Sequence, residues 1–270
     1  MKKIFLIAAL TSLFAFEYNS NKKEFKKLKK NFSYVPSGQG VIANDTFSVQ
    51  GFYISKTEVT NEEYQLFLQD LKANNKMKEY KICLPDSSEW GKLSMGGSSA
   101  YKDYYFSHPA YKKFPVVNVS FEAANLYCKW FTEKINLGSK SKYNDFRLPT
   151  KEEFIRACRG DKHVQMYAWE GNSVRNKDSM IMCNHLHISK EKVAGSLTDD
   201  VDIIAPSKSY WPNQFGIYNL NGNVAEMTSL NMISMGGSWK NTESEVQNES
   251  VSKYKNGNPT LGFRMVSTKL

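Results

Sequence analysis

Helical periodicity stops at Gly160, yet the 110 residues beyond it still read as folded chain. Gly, Asn, Ser and Asp punctuate that stretch and leave only short apolar pieces between them. This predicts short strands joined by long ordered loops, which in a compact domain commonly serve function or hold ions. Hydrophobic residues make up 41% and aromatic residues 13% of the chain, enough to pack a core around such loops.

Before residue 160 the helices announce themselves by their caps. Thr60 with Glu63 forms a capping box, and Tyr64, Phe67, Leu68 and Leu71 follow at helical spacing. Ser120 opens a second helix with Ala124, Tyr127, Trp130 and Phe131 on one face and Gly138 as its stop. Thr150 with Glu153 opens a third, running through Phe154, Ala157 and Cys158 to a stop near Gly160. Aromatic stripes at this spacing are assigned to the core. Leu84–Trp90 and Leu148–Phe154 resemble each other, each with a proline, a capping side chain, a glutamate and an aromatic. Seven residues are too few to define a repeat. Val49–Ser55 alternates as a single strand would, with Gly51 marking a bulge or a close approach.

The start of the chain is a different material. Lys2 and Lys3 precede an apolar run from Ile4 to Leu13, and Ala15 offers a cleavage position. A run of about ten residues is half of what a bilayer needs, so residues 1–15 are expected to be a secretory signal peptide. Residues 16–33 follow as a basic, flexible leader, and 34–270 form the domain. The first 30 residues hold eight lysines against Glu17 and Glu24, and so carry +6 of the formal +9. The remaining body is nearly balanced, which argues against a nucleic-acid partner. No other segment is apolar enough to span a membrane in the mature chain. Cys83, Cys128, Cys158 and Cys183 allow three disulfide pairings, and none lies in a C-x-x-C motif that would indicate zinc or redox chemistry.

A set of motifs in fixed order carries a resemblance. Phe52–Tyr64 (FYISKTEVTNEEY), Pro115–Ser120, Phe146–Thr150 with Glu153, and Tyr167–Asn172 come first. Gly216–Glu226 (GIYNLNGNVAE), Gly236–Trp239 and Gly262–Arg264 follow. Together they resemble the formylglycine-generating-enzyme, or sulfatase-modifying-factor, superfamily over residues 50–266. The resemblance implies an α+β, C-type-lectin-like fold with few helices, short strands and much ordered loop. Leu84–Asp86, Tyr105–Tyr111 and Pro115–Val117 are further similar to the gliding-motility and type IX secretion lipoproteins of that superfamily, which are taken to be structural. This chain lacks their lipid-attachment cysteine.

The resemblance also specifies what chemistry to look for. Catalytic members place two copper-binding cysteines just after the Gly-Gly-Ser motif, since soft thiolates hold Cu(I). The corresponding positions here are Asn241 and Val246, and no cysteine follows Cys183, so no copper is expected. A family calcium loop maps onto Asn219, Gly222, Val224 and Glu226, an oxygen set suited to a hard cation. A second family site maps onto Asn184, the carbonyl of His185 and an acid near Asp199–Asp202. Arg147 and Arg264 are expected to pin loops by pairing with buried acids or carbonyls. The expectation is an exported, non-catalytic scaffold or binding module at the periplasm or cell surface, with protein partners there and Ca²⁺ as its ion. One alternative is an iron- or copper-dependent oxidase with an altered site, in which His185 and His187 would hold iron. The other is a surface ligand-binding protein that uses the polar loop 239–260.

Overall fold

The computed structural model describes residues 30–42, 44–93, 98–137, 145–162, 164–186 and 203–268. The first element is β1 (Phe32–Val35), which lies partly within the stretch assigned to the leader. It pairs antiparallel with β4 (Phe52–Ser55), matching Phe32 to Ser55 and Val35 to Phe52. Between them β2 (Gly38–Ile42) and β3 (Asp45–Val49) form a hairpin. The expected single strand Val49–Ser55 is therefore two strands, broken at Gln50 and Gly51. A Cβ on Gly51 would lie 2.3 Å from the Tyr34 hydroxyl, so close approach, not a bulge, explains the glycine.

Three helices start where their caps place them. α1 (Asn61–Ala73) and α5 (Lys151–Arg159) both begin with reciprocal capping boxes, Thr60 with Glu63 and Thr150 with Glu153. Two short helices, α2 (Met77–Cys83) and α3 (Ser98–Tyr104), lie between α1 and α4. α4 (Phe121–Asn136) begins at Ser120, whose hydroxyl accepts from the Ala123 amide, and ends at a Leu137 cap. The Leu84–Trp90 stretch departs from its look-alike. It forms a 3-10 turn over Ser87–Lys92 capped by Asp86, and its glutamate, Glu89, pairs with Lys92.

The apolar stripes face inward. Tyr64, Phe67 and Leu71 of α1 meet Tyr127, Trp130 and Phe131 of α4 in one buried cluster, with the Tyr64 and Tyr127 rings stacked at 5.6 Å. Removing one of these large rings would cost on the order of 3–5 kcal/mol. α5 seals a second cluster, Phe154, Ile155 and Cys158 against Phe52, Ile54, Leu220 and Met235. All four cysteines are buried thiols outside any disulfide.

Two small sheets carry the rest. β5 (Phe146–Arg147) and β10 (Val266–Ser267) complete the first, in the order β1-β4-β10-β5. β6 (Ala225–Met227), β7 (Ile233–Met235), β8 (Val251–Lys253) and β9 (Leu261–Gly262) make the second, in the order β8-β7-β6-β9, with β6 and β9 parallel. Past Gly160 the described residues form short strands, one 3-10 turn and loop, as the composition predicts. Among the described residues no helix is long and apolar enough to cross a membrane.

Candidate functional site

The loop leading into β6 is built from residues that accept left-handed backbone. Asn219, Gly222 and Asn223 have φ of 53°, 75° and 61°. Asparagine tolerates this region because its short amide bonds locally, and glycine because it has no Cβ. At Gly222 the requirement is absolute, since a Cβ would sit 2.2 Å from the Asn184 carbonyl oxygen.

Asn184 thus belongs to the same constellation as the loop. Its carbonyl accepts from the Asn223 amide at 2.8 Å, and its Nδ2 donates to Ile203 O at 2.7 Å. Asn223 is fully buried and uses both ends of its side chain. Its Oδ1 accepts from Ala205 N at 2.8 Å, and its Nδ2 donates to Glu58 Oε1 at 2.9 Å. Asn219 donates to the Ser207 carbonyl at 3.2 Å, and to Pro206 O and Glu58 Oε2 at 3.4 Å.

Below the loop lie two carboxylates and one guanidinium. Glu226 receives Arg264 Nε at 2.5 Å and Nη2 at 2.6 Å, a bidentate pair buried on both sides. The same guanidinium donates to Ser55 O at 3.1 Å and Tyr218 O at 2.9 Å, tying β4 to the loop. Glu58, also fully buried, joins through Asn219 and Asn223. Burial pushes the Glu58 carboxyl up to about 8, with Arg264 opposing and Glu226 reinforcing the rise. Burial likewise raises Glu226, against the pull of Arg264. Burial acts to lower Arg264, but Glu226 and then Glu58 outweigh it, so the guanidinium stays charged. At neutral pH Glu58 is therefore largely protonated, and the Glu226–Arg264 pair leaves the cluster without net charge.

Among the described residues no three His, Cys, Asp or Glu side chains converge to hold a metal. A cation here would depend on amide and carbonyl oxygens, from Asn219, Gly222 and Val224, and would share Glu226 with Arg264. Such an all-oxygen set suits a hard ion and no soft one. His185 follows Asn184 directly. Its Nδ1 lies 3.1 Å from the Cys183 carbonyl oxygen and 4.0 Å from Cys183 Sγ. His187 and Asp199–Asp202 lie outside the described residues.

Asn241 and Val246, the positions expected to correspond to the copper-binding cysteines, are also packed. Gly236 and Gly237, with φ of 83° and 66°, let β7 turn against the segment Glu243–Val246. Asn241 closes the turn that follows, its Oδ1 accepting from Ser238 N at 2.9 Å and from Ser238 Oγ at 2.7 Å. Val246 is fully buried and packs with Tyr167, Val174 and Cys183. An amide committed to a turn and an isopropyl group in a core offer neither nucleophile nor soft ligand.

Arg147 and Arg264 do what the sequence expects of them. Arg147 grips Glu153 with two bonds of 2.7 Å, and Arg264 grips Glu226. Glu58 is the functional residue that sequence reading missed. Its only signal was an acid between Thr57 and Val59 in a segment otherwise bound for the core.

Residues 16–269 match the family model described as the sulfatase-modifying factor enzyme 1-like domain. The formylglycine-generating enzyme of Mus musculus is 26% identical over 200 residues, 67% of this chain and 50% of that protein. The inactive C-alpha-formylglycine-generating enzyme 2 of Bos taurus is 28% identical over 159 residues, 58% of this chain and 44% of that one. The chain therefore spans about half the length of these curated relatives. The structure of PvdO from Pseudomonas aeruginosa superposes with a TM-score of 0.60 at 16% identity, covering 88% of this chain and 94% of that one, which shows the fold.

Proposed function

The chain belongs to the sulfatase-modifying factor enzyme 1-like domain family, and from that premise we propose that it is a non-catalytic scaffold or binding module. One observation carries this reading: Asn241 is spent on closing a turn and Val246 on filling a core, where the enzyme requires two thiolates. The similarity to a relative named inactive supports the same conclusion.

The module works outside the cytoplasm, at the periplasm or cell surface, after removal of the signal peptide. Its resemblance to gliding-motility and type IX secretion components favours a place in an envelope assembly with protein partners. Calcium is its structural ion, held by Asn219 and Glu226 side chains with the Gly222 and Val224 carbonyls. Bound there, the ion would clamp the loop to β6. Asn184 supports that loop from behind, and a second ion would be held by Asn184, the carbonyl of His185 and an acid near Asp199–Asp202.

The test is elemental analysis of the purified protein together with melting curves with and without a calcium chelator. Calcium alone, with a lower melting temperature after chelation, is the expected result. Copper or iron near one per chain would overturn the non-catalytic reading.

A further inference from the structure

Apart from the buried cluster, the proposed function leaves unused a half-open cleft of about 730 Å³. It lies between the start of α1, the segment ahead of β1 and the stretch Pro206–Lys208. Pockets of this volume ordinarily take small molecules or a short peptide segment. Its lining has a surplus of hydrogen-bond donors. Lys30, Lys113 and Lys208 all contribute, and only Lys113 has a carboxylate partner among the described residues, Glu62. The Lys208 ammonium lies 5.5 Å from the Tyr218 ring centroid, which holds it at the wall. Thr57 Oγ1 accepts from Asn31 at 3.0 Å, leaving its own proton to donate.

Ser207 supplies an independent pointer. Its side chain is buried, it lines the cleft, and its hydroxyl has no hydrogen-bond partner among the described residues. A buried hydroxyl left alone costs stability unless something else satisfies it. The same residue is held firmly: its amide donates to Lys113 O at 2.8 Å and its carbonyl accepts from Asn219. The cleft wall is thereby fastened to the loop above the charged cluster.

We propose that this cleft binds a carboxylate ligand, contributed by a small organic acid or by an acidic peptide segment of a partner. The donor surplus calls for an acceptor-rich, anionic ligand. Glu62 and Glu63, also in the lining, limit the charge it can carry, which favours one or two carboxylates over a phosphate ester. The inference rests on the binding-module reading and gives that module its ligand chemistry.

Isothermal titration of the full chain, in calcium-containing buffer at low salt, tests it with four probes. These are glutarate, an acetylated Glu-Gly-Glu peptide, the neutral diamide of glutarate, and inorganic phosphate. Glutarate binding, with or without the peptide, identifies a small acid as the source; peptide binding alone identifies an acidic segment. The diamide should not bind. Lys208→Glu should weaken the carboxylate by tenfold or more, and Ser207→Ala by about threefold, with melting curves confirming that both variants fold. Replacing Lys22, Lys23, Lys26 and Lys27 by Gln should leave the affinity unchanged. The proposal is overturned if no carboxylate binds, if phosphate binds as well as glutarate, if Lys208→Glu has no effect, or if the four-lysine variant alone abolishes binding. Copper or iron in the metal analysis would instead defeat the scaffold reading and leave this titration interpretable.

Discussion

The helical half and the loop half of the molecule are held together by different chemistry. From α1 to α5 the chain relies on rings: Tyr64, Phe67, Tyr127, Trp130 and Phe131 share one cluster, and the helix ends are finished by local caps. Past residue 203 the described chain has no helix beyond a single 3-10 turn, and its interior is fastened by Asn219, Asn221, Asn223 and the Arg264–Glu226 pair. Asn221, for example, accepts from the Ala168 amide at 2.8 Å and donates to Val246 O at 2.7 Å and Asn248 Oδ1 at 3.0 Å. Rings tolerate repacking, because dispersion and burial are non-directional. Buried amides and ions do not, because each lost partner strands a polar atom away from water. The helical half should therefore yield gradually to mutation and the loop half abruptly.

The largest test of that contrast is Arg264→Met. It leaves Glu226 and Glu58 buried without their cation, and a loss of about 3–5 kcal/mol is expected in denaturant unfolding. Arg147→Met is its natural partner experiment. Arg147 is 35% exposed, so water can take over part of its role beside the buried Glu153, and the loss should be smaller, about 1–2 kcal/mol. Equal losses would break the contrast. Asn223→Ala comes next, at roughly 3 kcal/mol, because several buried groups lose partners and the residue keeps a positive φ without a side chain to support it. Removing calcium should cost about 2.7 kcal/mol where the free ion stands at a hundredfold its dissociation constant. Hydrogen exchange should then rise in residues 203–268 and stay unchanged in α4 and α5. A uniform rise would mean that the ion supports the whole domain. Thr150→Ala should also have a small effect, about 1 kcal/mol, the usual worth of a helix cap.

The same division explains what could be seen in the sequence. Caps are local signals, so Thr60, Ser120 and Thr150 mark the starts of α1, α4 and α5 directly. The β2–β3 hairpin was missed because Val49–Ser55 alternates straight through the Gly51 break, which exists only because Tyr34 crosses there. Arg147 and Arg264 stood out through their motifs, but the acid paired with Arg264 did not. The Glu226 motif pointed to calcium, whereas the side chain meets a guanidinium from 38 residues away. Glu58 and the carboxylate cleft depend on segments separated by more than 100 residues, and no local pattern records such a meeting.

One strand also has a consequence in time. β10, at Val266–Ser267, lies between β4 and β5, so the first sheet has a gap at its centre until β10 arrives. Pairings this distant in sequence make folding slow, since a long loop must close before any contact rewards it. A nascent chain that has emerged only as far as β9 exposes two unsatisfied strand edges, on β4 and β5. Synthesis must run past residue 267 before the domain can close on itself. Folding therefore waits for β10, and a truncation that removes β10 should yield a chain that aggregates before it folds.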